Sequence, residues 1–448
     1  MRKGYLRSIK MKKIILLLII FLISFVSAGY SSTNFTLEGG FVESSYGSVN
    51  LTLGEESIVG PTVPQINFTF PTPDNETSTG NTSIEINVSI IESDLENMTW
   101  IWNETNYSMY NESLVLMMNF DNKSALGENE TYVVDVSKNT NDGINNGSTW
   151  TSSGKYNGAF DFNGVNNTIT SPHSQSLNFT NSNEFSFSVW VNTNTITAAG
   201  KFAGVISKGA YETSDEWEVI LNLDNTGPSA IGAIGFGVNR AYVYSSPLVV
   251  GEWTHISGNF NGTRAKLFIN NELVATTATT TYVPSTSPFY IGRMHPSGYH
   301  TAFWDGKIDE VRIWNRSLSV DEISQQYNSN LEKFNSTDWY FYSNQSNLSD
   351  AEYTYQACAS NSYGEKCTEV RSLSIIDLQC SPTLDEDWEI SDEQICDAVE
   401  VQTGTGIIKI LSGGNLTLIN GANVSAAGLE LLTTGDQVFI NIDSEVRL

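Results

Sequence analysis

The sequence predicts an all-β fold, and three observations carry that expectation. The chain of 448 residues has only 16% charged residues and is rich in Asn, Thr, Ser, Val and Tyr, a composition that disfavours long solvated helices and suits half-buried strands. Its apolar residues alternate with polar ones over short runs instead of recurring every three or four positions. Gly, Asn and Asp punctuate those runs, the residues that tight turns require. An aromatic content of 11% is enough for packed cores. At ~100–200 residues per domain the length suggests roughly two to four domains.

The chain opens with a targeting signal. Arg2, Lys3, Arg7, Lys10, Lys12 and Lys13 precede an apolar run over 14–26, and Val26-Ser27-Ala28 offers small residues for cleavage after Ala28. That is the order of a secretory signal peptide, with Met11 as a second possible start. The run is short for a membrane span, and an uncleaved anchor is the alternative. No later stretch is long and apolar enough to span a bilayer. Against 23 Lys plus Arg stand 50 Asp plus Glu, a net charge of −27. Such a balance repels phosphate backbones and anionic lipid, so no nucleic-acid partner is expected. Sequons are dense, among them Asn67, Asn87, Asn103 and Asn315, and on an exported chain they mark candidate glycosylation sites.

After a Ser/Thr-rich linker over 29–62, strands are expected over 65–70 and 83–90, and then around Trp100 and Trp102. A long β block follows over 115–333. Phe185-Ser186-Phe187-Ser188-Val189-Trp190-Val191 alternates strictly, and Asn270-Asn271 turns a hairpin. Trp190, Trp253 and Phe268 are expected to fill the space between two sheets. Ser319 with Glu322 forms a capping box that opens a short helix to about Tyr327. More strands are expected over 339–342, 353–359 and 368–375. From 407 the strands are short and Gly-punctuated, as in a β-solenoid. Cys358 and Cys367 flank a turn at 361–364 and can face each other across a hairpin, which leaves Cys380 with Cys396. A zinc site would need ligand spacing that is absent: there is no CxxC and no nearby His.

The central block resembles the laminin-G-like, concanavalin-A-like jelly roll. The resemblance rests on Phe162-Asn163-Gly164, Phe185 to Trp190, Val205-Ile206-Ser207-Lys208-Gly209, Trp253-Thr254-His255 and Leu267-Phe268-Ile269-Asn270. Its most specific part is Gly306-Lys307-Ile308-Asp309-Glu310-Val311-Arg312-Ile313-Trp314-Asn315-Arg316, continuing to Ile323. The flanks, 63–114 and 334–376, resemble the two halves of an immunoglobulin-like sandwich, because their lengths and strand numbers together approach one such domain. The expected architecture is therefore a jelly roll inserted in an immunoglobulin-like sandwich, followed by a β-solenoid-like region over 377–448. In it, Trp102 should pack against Tyr355.

The resemblance also implies candidate sites. The first and last strands of the jelly roll are neighbours, and a structural Ca²⁺ is implied at Asp121 and Asp309. The alternative for Asp309 is a turn cap or a pair with Arg312. Rings stack on sugar faces, which makes His295, Tyr299 and Trp304, in the loop 294–305, candidate ligand contacts; for Trp304 a core position is the alternative. Glu216 and Glu218 lie two positions apart, yet the third carboxylate of a concanavalin-A-like hydrolase is missing, so no catalytic pair is assigned. The four histidines form no metal or nucleophile motif, and no organic cofactor is expected. The dense sequons, acidity and β modules look like archaeal cell-envelope proteins. The expected function is non-enzymatic binding of an extracellular glycan or protein. The alternatives are a structural envelope stalk and a glycan-degrading enzyme.

Overall fold

A computed structural model describes residues 62–447, apart from 180–182, 198–201, 210–216, 224–228, 295–300, 376–384, 391–392, 398–399, 412–414, 420–422, 432–436 and 441–444. The leader with Ala28, and nearly all of the Ser/Thr-rich linker, lie outside the described residues. The described chain is nearly all β, with one α-helix, Val320–Asn328.

The central block forms two stacked sheets. One runs in the order Glu272–Thr276, Ala265–Ile269, Trp253–Asn261, Glu184–Thr193, Asp305–Trp314, Ala159–Asn163, Thr149–Thr151. Leu114–Met118 also pairs with Asp305–Trp314, so the first and last strands of the block are neighbours. The other sheet runs Ala241–Pro247, Ala233–Val238, Trp217–Asn222, Phe202–Lys208, Phe289–Ile291, Thr168–Ser171, Gly143–Asn146, Tyr132–Val133. Phe185 and Phe187 project from one sheet onto Trp217 and Phe236 of the other, with ring centroids 4.8 and 4.9 Å apart for Phe185–Trp217 and Phe187–Phe236. Burying each such side chain contributes roughly 1.5–3 kcal/mol.

Trp190, Trp253 and Phe268 are not in that layer. Trp190 lies on the opposite face of its strand, stacked on Tyr327 of the helix at 5.6 Å and beside His255 at 5.0 Å. Phe268 joins the core of the flanking sandwich, and Trp253 is partly exposed. The reason is that Glu184–Thr193 is covered on both faces. Alternation shows which side chains share a face, but not that the second face is also buried.

The helix begins as its sequence requires. Ser319 Oγ accepts from the Glu322 N–H at 3.2 Å, and the Ser319 N–H donates to Glu322 Oε2 at 2.9 Å. Arg316 clamps the same carboxylate through two nitrogens. Ser319→Ala should cost about 1 kcal/mol, read as a lower Tm. The expected hairpin turn also forms: Asn270 and Asn271 both take positive φ, 47° and 72°, as a two-residue turn between twisted strands demands.

The flanks pair with each other across the central block. One sheet runs Gln65–Thr69, Ile84–Ile91, Asp338–Gln345, Ser329–Lys333; the other runs Thr77–Thr79, Arg371–Ile375, Ala351–Asn361, Asn97–Trp102, Thr105–Tyr110. Trp102 and Tyr355 are register partners. Trp100 is fully buried between the sheets, 5.3 Å from Phe341 and 6.3 Å from Tyr355. Ser329–Lys333, which the expected bounds place in the jelly roll, pairs with Asp338–Gln345 of the second flank. Leu318 and Ile323, from the helix region, complete this second core. Cys358 and Cys367 sit opposite each other in register and are joined by a disulfide.

The last region stacks parallel strands about twenty residues apart. Trp388 pairs with Ile408 and Ile408 with Leu429; Cys396 pairs with Leu418 and Leu418 with Ile440; Val401 pairs with Val424 and Val424 with Val446. Three short parallel sheets result, enclosing Ile390, Ile408, Ile410, Leu416, Leu418 and Val424. Cys396 is buried among them; its expected partner Cys380 lies outside the described residues.

Candidate functional site

Two places in the central block carry chemistry. The first is a group of buried carboxylates where the jelly roll meets the flanking sandwich. A bulge in Asp305–Trp314, with Glu310 at φ 50°, turns consecutive acidic residues inward. Asp309 Oδ2 accepts the backbone N–H groups of Lys155 at 2.8 Å and Tyr156 at 3.1 Å, and Oδ1 accepts the Glu310 N–H at 2.8 Å. Asp309 therefore closes the turn around 155–156, which was the alternative reading of this residue. Burial first, then the charge of Glu310, holds its carboxyl well above the usual range.

Glu310 Oε2 accepts from Asn119 at 2.8 Å and from Arg312 at 2.9 Å, and Oε1 accepts from Asn330 at 3.0 Å. Burial pushes this carboxyl up to about 8, against the pull of Arg312. Asp121 Oδ1 accepts the Gly158 N–H at 3.0 Å. Its Oδ2 is buried with no hydrogen-bond donor among the described residues and lies beside Glu332. Burial and then Asp121 push Glu332 up to about 8. Two carboxylates share a hydrogen bond only through a proton, so this pair needs either a proton or a cation. Asp121 Oδ2, a hard oxygen without a donor, fits a Ca²⁺ ligand. Asp309 fits less well, because both its oxygens already serve backbone N–H groups. Among the described residues, the one group of three acidic, imidazole or thiol ligand atoms within 4.8 Å of one another is Cys358, Glu365 and Cys367, whose sulfurs form the disulfide.

Glu310 and Glu332 were not singled out from the sequence. The available signal was Asp309-Glu310 itself: consecutive acids inside a core strand can both be buried only where both faces of the strand are covered.

The second place is the loop 294–305. His295 and Tyr299 lie outside the described residues. Trp304 is fully buried in the jelly-roll core, so its ring is not available to stack on a ligand. It immediately precedes the last strand, where the inward position is taken by whichever large apolar residue stands there. At the described edges of the loop the Arg293 guanidinium lies 5.3 Å from the Tyr290 ring centroid and 5.1 Å from that of Phe303. All three side chains are partly exposed. A cation over two rings is held by the attraction of both ring faces.

The sequons divide. Asn67, Asn103 and Asn315 are exposed. Asn87 is buried, its amide donating to Phe70 O at 3.3 Å and Glu85 Oε1 at 3.0 Å. Asn87 faces outward, alternating with the core residues Ile86 and Val88, but the segment 70–72 covers it and leaves no room for a glycan, so Asn87 is withdrawn as a glycosylation site. Among the described residues no helix is long and apolar enough to cross a membrane.

No curated protein matches the sequence. Among solved structures, the chain is similar to domain 4 of AbnA, a GH43 extracellular arabinanase from Geobacillus stearothermophilus, in complex with arabinotriose. That likeness has 18% identity and a TM-score of 0.36, over 47% of this chain and 97% of that one. It is similar to the binding domain of Paraclostridial Mosquitocidal Protein 1 at 15% identity and a TM-score of 0.38, over 48% of this chain and 52% of that one. It is similar to Trypanosoma rangeli sialidase in complex with sialic acid at 15% identity and a TM-score of 0.38, over 49% of this chain and 33% of that one. This chain thus spans about half and about a third of the last two. Residues 163–324 match the model of the Concanavalin A-like lectin/glucanases superfamily, and the central block, with its two stacked sheets, has a concanavalin A-like jelly-roll fold.

Proposed function

We propose that the chain is a non-enzymatic, exported cell-surface protein of archaeal type whose jelly-roll domain binds an extracellular glycan or protein. The flanks act as one immunoglobulin-like sandwich that carries the jelly roll as an insertion, and the solenoid acts as a spacer. The observation that carries the reading is the partly exposed Tyr290–Arg293–Phe303 cluster beside the loop 294–305, on a domain that matches the model of a lectin and glucanase superfamily. The non-enzymatic part is supported by Glu218: it is buried, and the Tyr242 hydroxyl donates to it. Its neighbour Glu216 lies outside the described residues. A structural Ca²⁺ would be held by Asp121, with Asp309 keeping the adjoining turn in place.

The test is a glycan array probed with the intact chain, with and without calcium. Saturable binding to a defined set of glycans, weakened by Tyr290→Ala, is expected. Silence on the array with strong co-sedimentation on envelope material would favour the stalk reading. Release of reducing ends from a polysaccharide would favour the enzyme. If Ca²⁺ is bound, a chelator lowers the Tm of the chain and Asp121→Asn abolishes that response; an unchanged Tm removes calcium from the account.

A further inference from the structure

A cleft lies where the flanking sandwich meets the turn at 136–138. Its volume is about 330 Å³, and its walls include Ser93, Asp94, Ser137, Lys138, Lys333 and Trp339. The segments come from both flanks and from the central block, so the cleft exists only in the assembled chain. Its floor is rigid. The Tyr110 ring meets Trp339 edge-on at 5.1 Å, the Trp339 indole N–H donates to Glu92 O at 3.0 Å, and the Tyr110 hydroxyl donates to Val136 O at 3.1 Å.

The cleft gathers charges of both signs: Lys138 and Lys333 line it with Asp94, and Glu96 and Glu92 act on the two ammonium groups. In a chain of net charge −27, two ammonium groups share one small cleft. Lys138 is exposed and only loosely held, 3.8 Å from Asp94 and 3.8 Å from Glu96. The Lys333 ammonium sits 4.6 Å above the centre of the Trp339 ring and has no carboxylate within ion-pair distance among the described residues. A partly buried ammonium over an aromatic floor gains most from an anion that replaces its lost water. Burial pulls its pKa down, and Asp94 and Glu92 pull it back up.

The ligand must also suit the acceptor in the same cleft. The Asp94 carboxylate is exposed there. It would repel an anion bare of hydrogen-bond donors, such as sulfate, but would accept hydroxyl groups. The volume stands at the lower end of the ~300–1,000 Å³ of small-molecule clefts, which suits one ring and not a chain. We propose that this cleft binds a carboxylate-bearing sugar, a uronic acid or the uronic end of a glycan, with Lys333 and Lys138 on the carboxylate and Asp94 and Ser93 on the hydroxyls. The proposal does not depend on ligand binding at the loop 294–305.

The test is calorimetric titration of the intact chain at low salt with glucuronate, with a diglucuronide, with glucose and with acetate. Saturable binding of glucuronate, absent for glucose and much weaker for acetate, is expected. Lys138→Ser, at the exposed rim, and Lys333→Met should each weaken it by about tenfold. Array binding by the loop 294–305 should be unchanged in both variants, which separates the two sites. Binding of the diglucuronide as tight as that of glucuronate identifies a glycan end as the ligand, and its loss identifies the free sugar. No saturable glucuronate binding, equal binding of acetate, or wild-type affinity in Lys138→Ser would overturn the proposal.

Discussion

Replacing Trp100 with Ala is expected to destabilise the chain by about 3–5 kcal/mol, the range for removing a fully buried Trp from a packed core. The size follows from position. Trp100 has no exposed surface, and three aromatic rings surround it: Trp102 on its own strand, Phe341 from the facing sheet and Tyr355 from the neighbouring strand. Two of the three come from beyond the jelly roll in sequence. Chemical unfolding followed by far-UV circular dichroism measures the loss. A cycle of Trp100→Phe, Phe341→Leu and the double variant then measures the contact itself. Aromatic pairs of this kind couple by about 0.5–1.5 kcal/mol. A coupling indistinguishable from zero would mean that the two flanks do not share one core.

The second large effect is acid sensitivity set by His255. The ring is fully buried on the outer face of the jelly-roll sheet, against both Trp190 and Tyr327. Its Nε2 lies 2.7 Å from Ser188 Oγ, and its Nδ1 has no hydrogen-bond partner among the described residues. Burial first, then the charges of Arg312 and Lys155, lowers its pKa to about 3. In the unfolded chain the ring binds its proton near 6.5. Between those values the unfolded state holds a proton that the folded state refuses, so stability rises with pH across this window. The contribution is fully present above pH 6.5 and is lost progressively as pH falls toward 3, by an amount of order 4 kcal/mol. The buried carboxylates act in the opposite sense, so the His255 share must be isolated by difference. His255→Gln keeps a hydrogen bond to Ser188 and cannot titrate in this range. Unfolding of both proteins at pH 7 and pH 4 should show the native chain losing more stability than the variant. Equal losses would show that His255 is not the acid-sensitive group.

The sequence made some features legible because they depend on neighbours a few residues apart. The capping box at Ser319 and Glu322, the Asn270-Asn271 turn and the Cys358–Cys367 pair are all local, and each is where its spacing places it. The jelly-roll strands were legible because their order and motifs are specific. What stayed hidden depends on which faces are covered. The outward turn of Trp190 and Phe268 follows from the helix and the flanking sandwich lying on the second face of the sheet. Asn87 was read as accessible because a sequon suggests exposure, whereas tertiary packing buries it; for Trp304, of a ligand contact and a core position, the structure has the core position. The strand Ser329–Lys333 was missed because Ser-Asn-Leu-Glu-Lys offers one apolar residue and no alternation. It is held by pairing with Asp338–Gln345, while its polar side chains Asn330 and Glu332 turn toward Glu310 and Asp121.

The central claim is that segments separated by the whole jelly roll close one sandwich. Amide hydrogen exchange of the intact chain, followed peptide by peptide, tests it most directly. Cooperative units open together, so strands of one core share one opening free energy. Ile84–Ile91 and Asn97–Trp102 from the first flank should exchange with the same protection, and the same denaturant dependence, as Asp338–Gln345 and Ala351–Asn361 from the second. If the first-flank strands open on their own while the second-flank strands stay protected, the two do not form one sandwich and the account is contradicted.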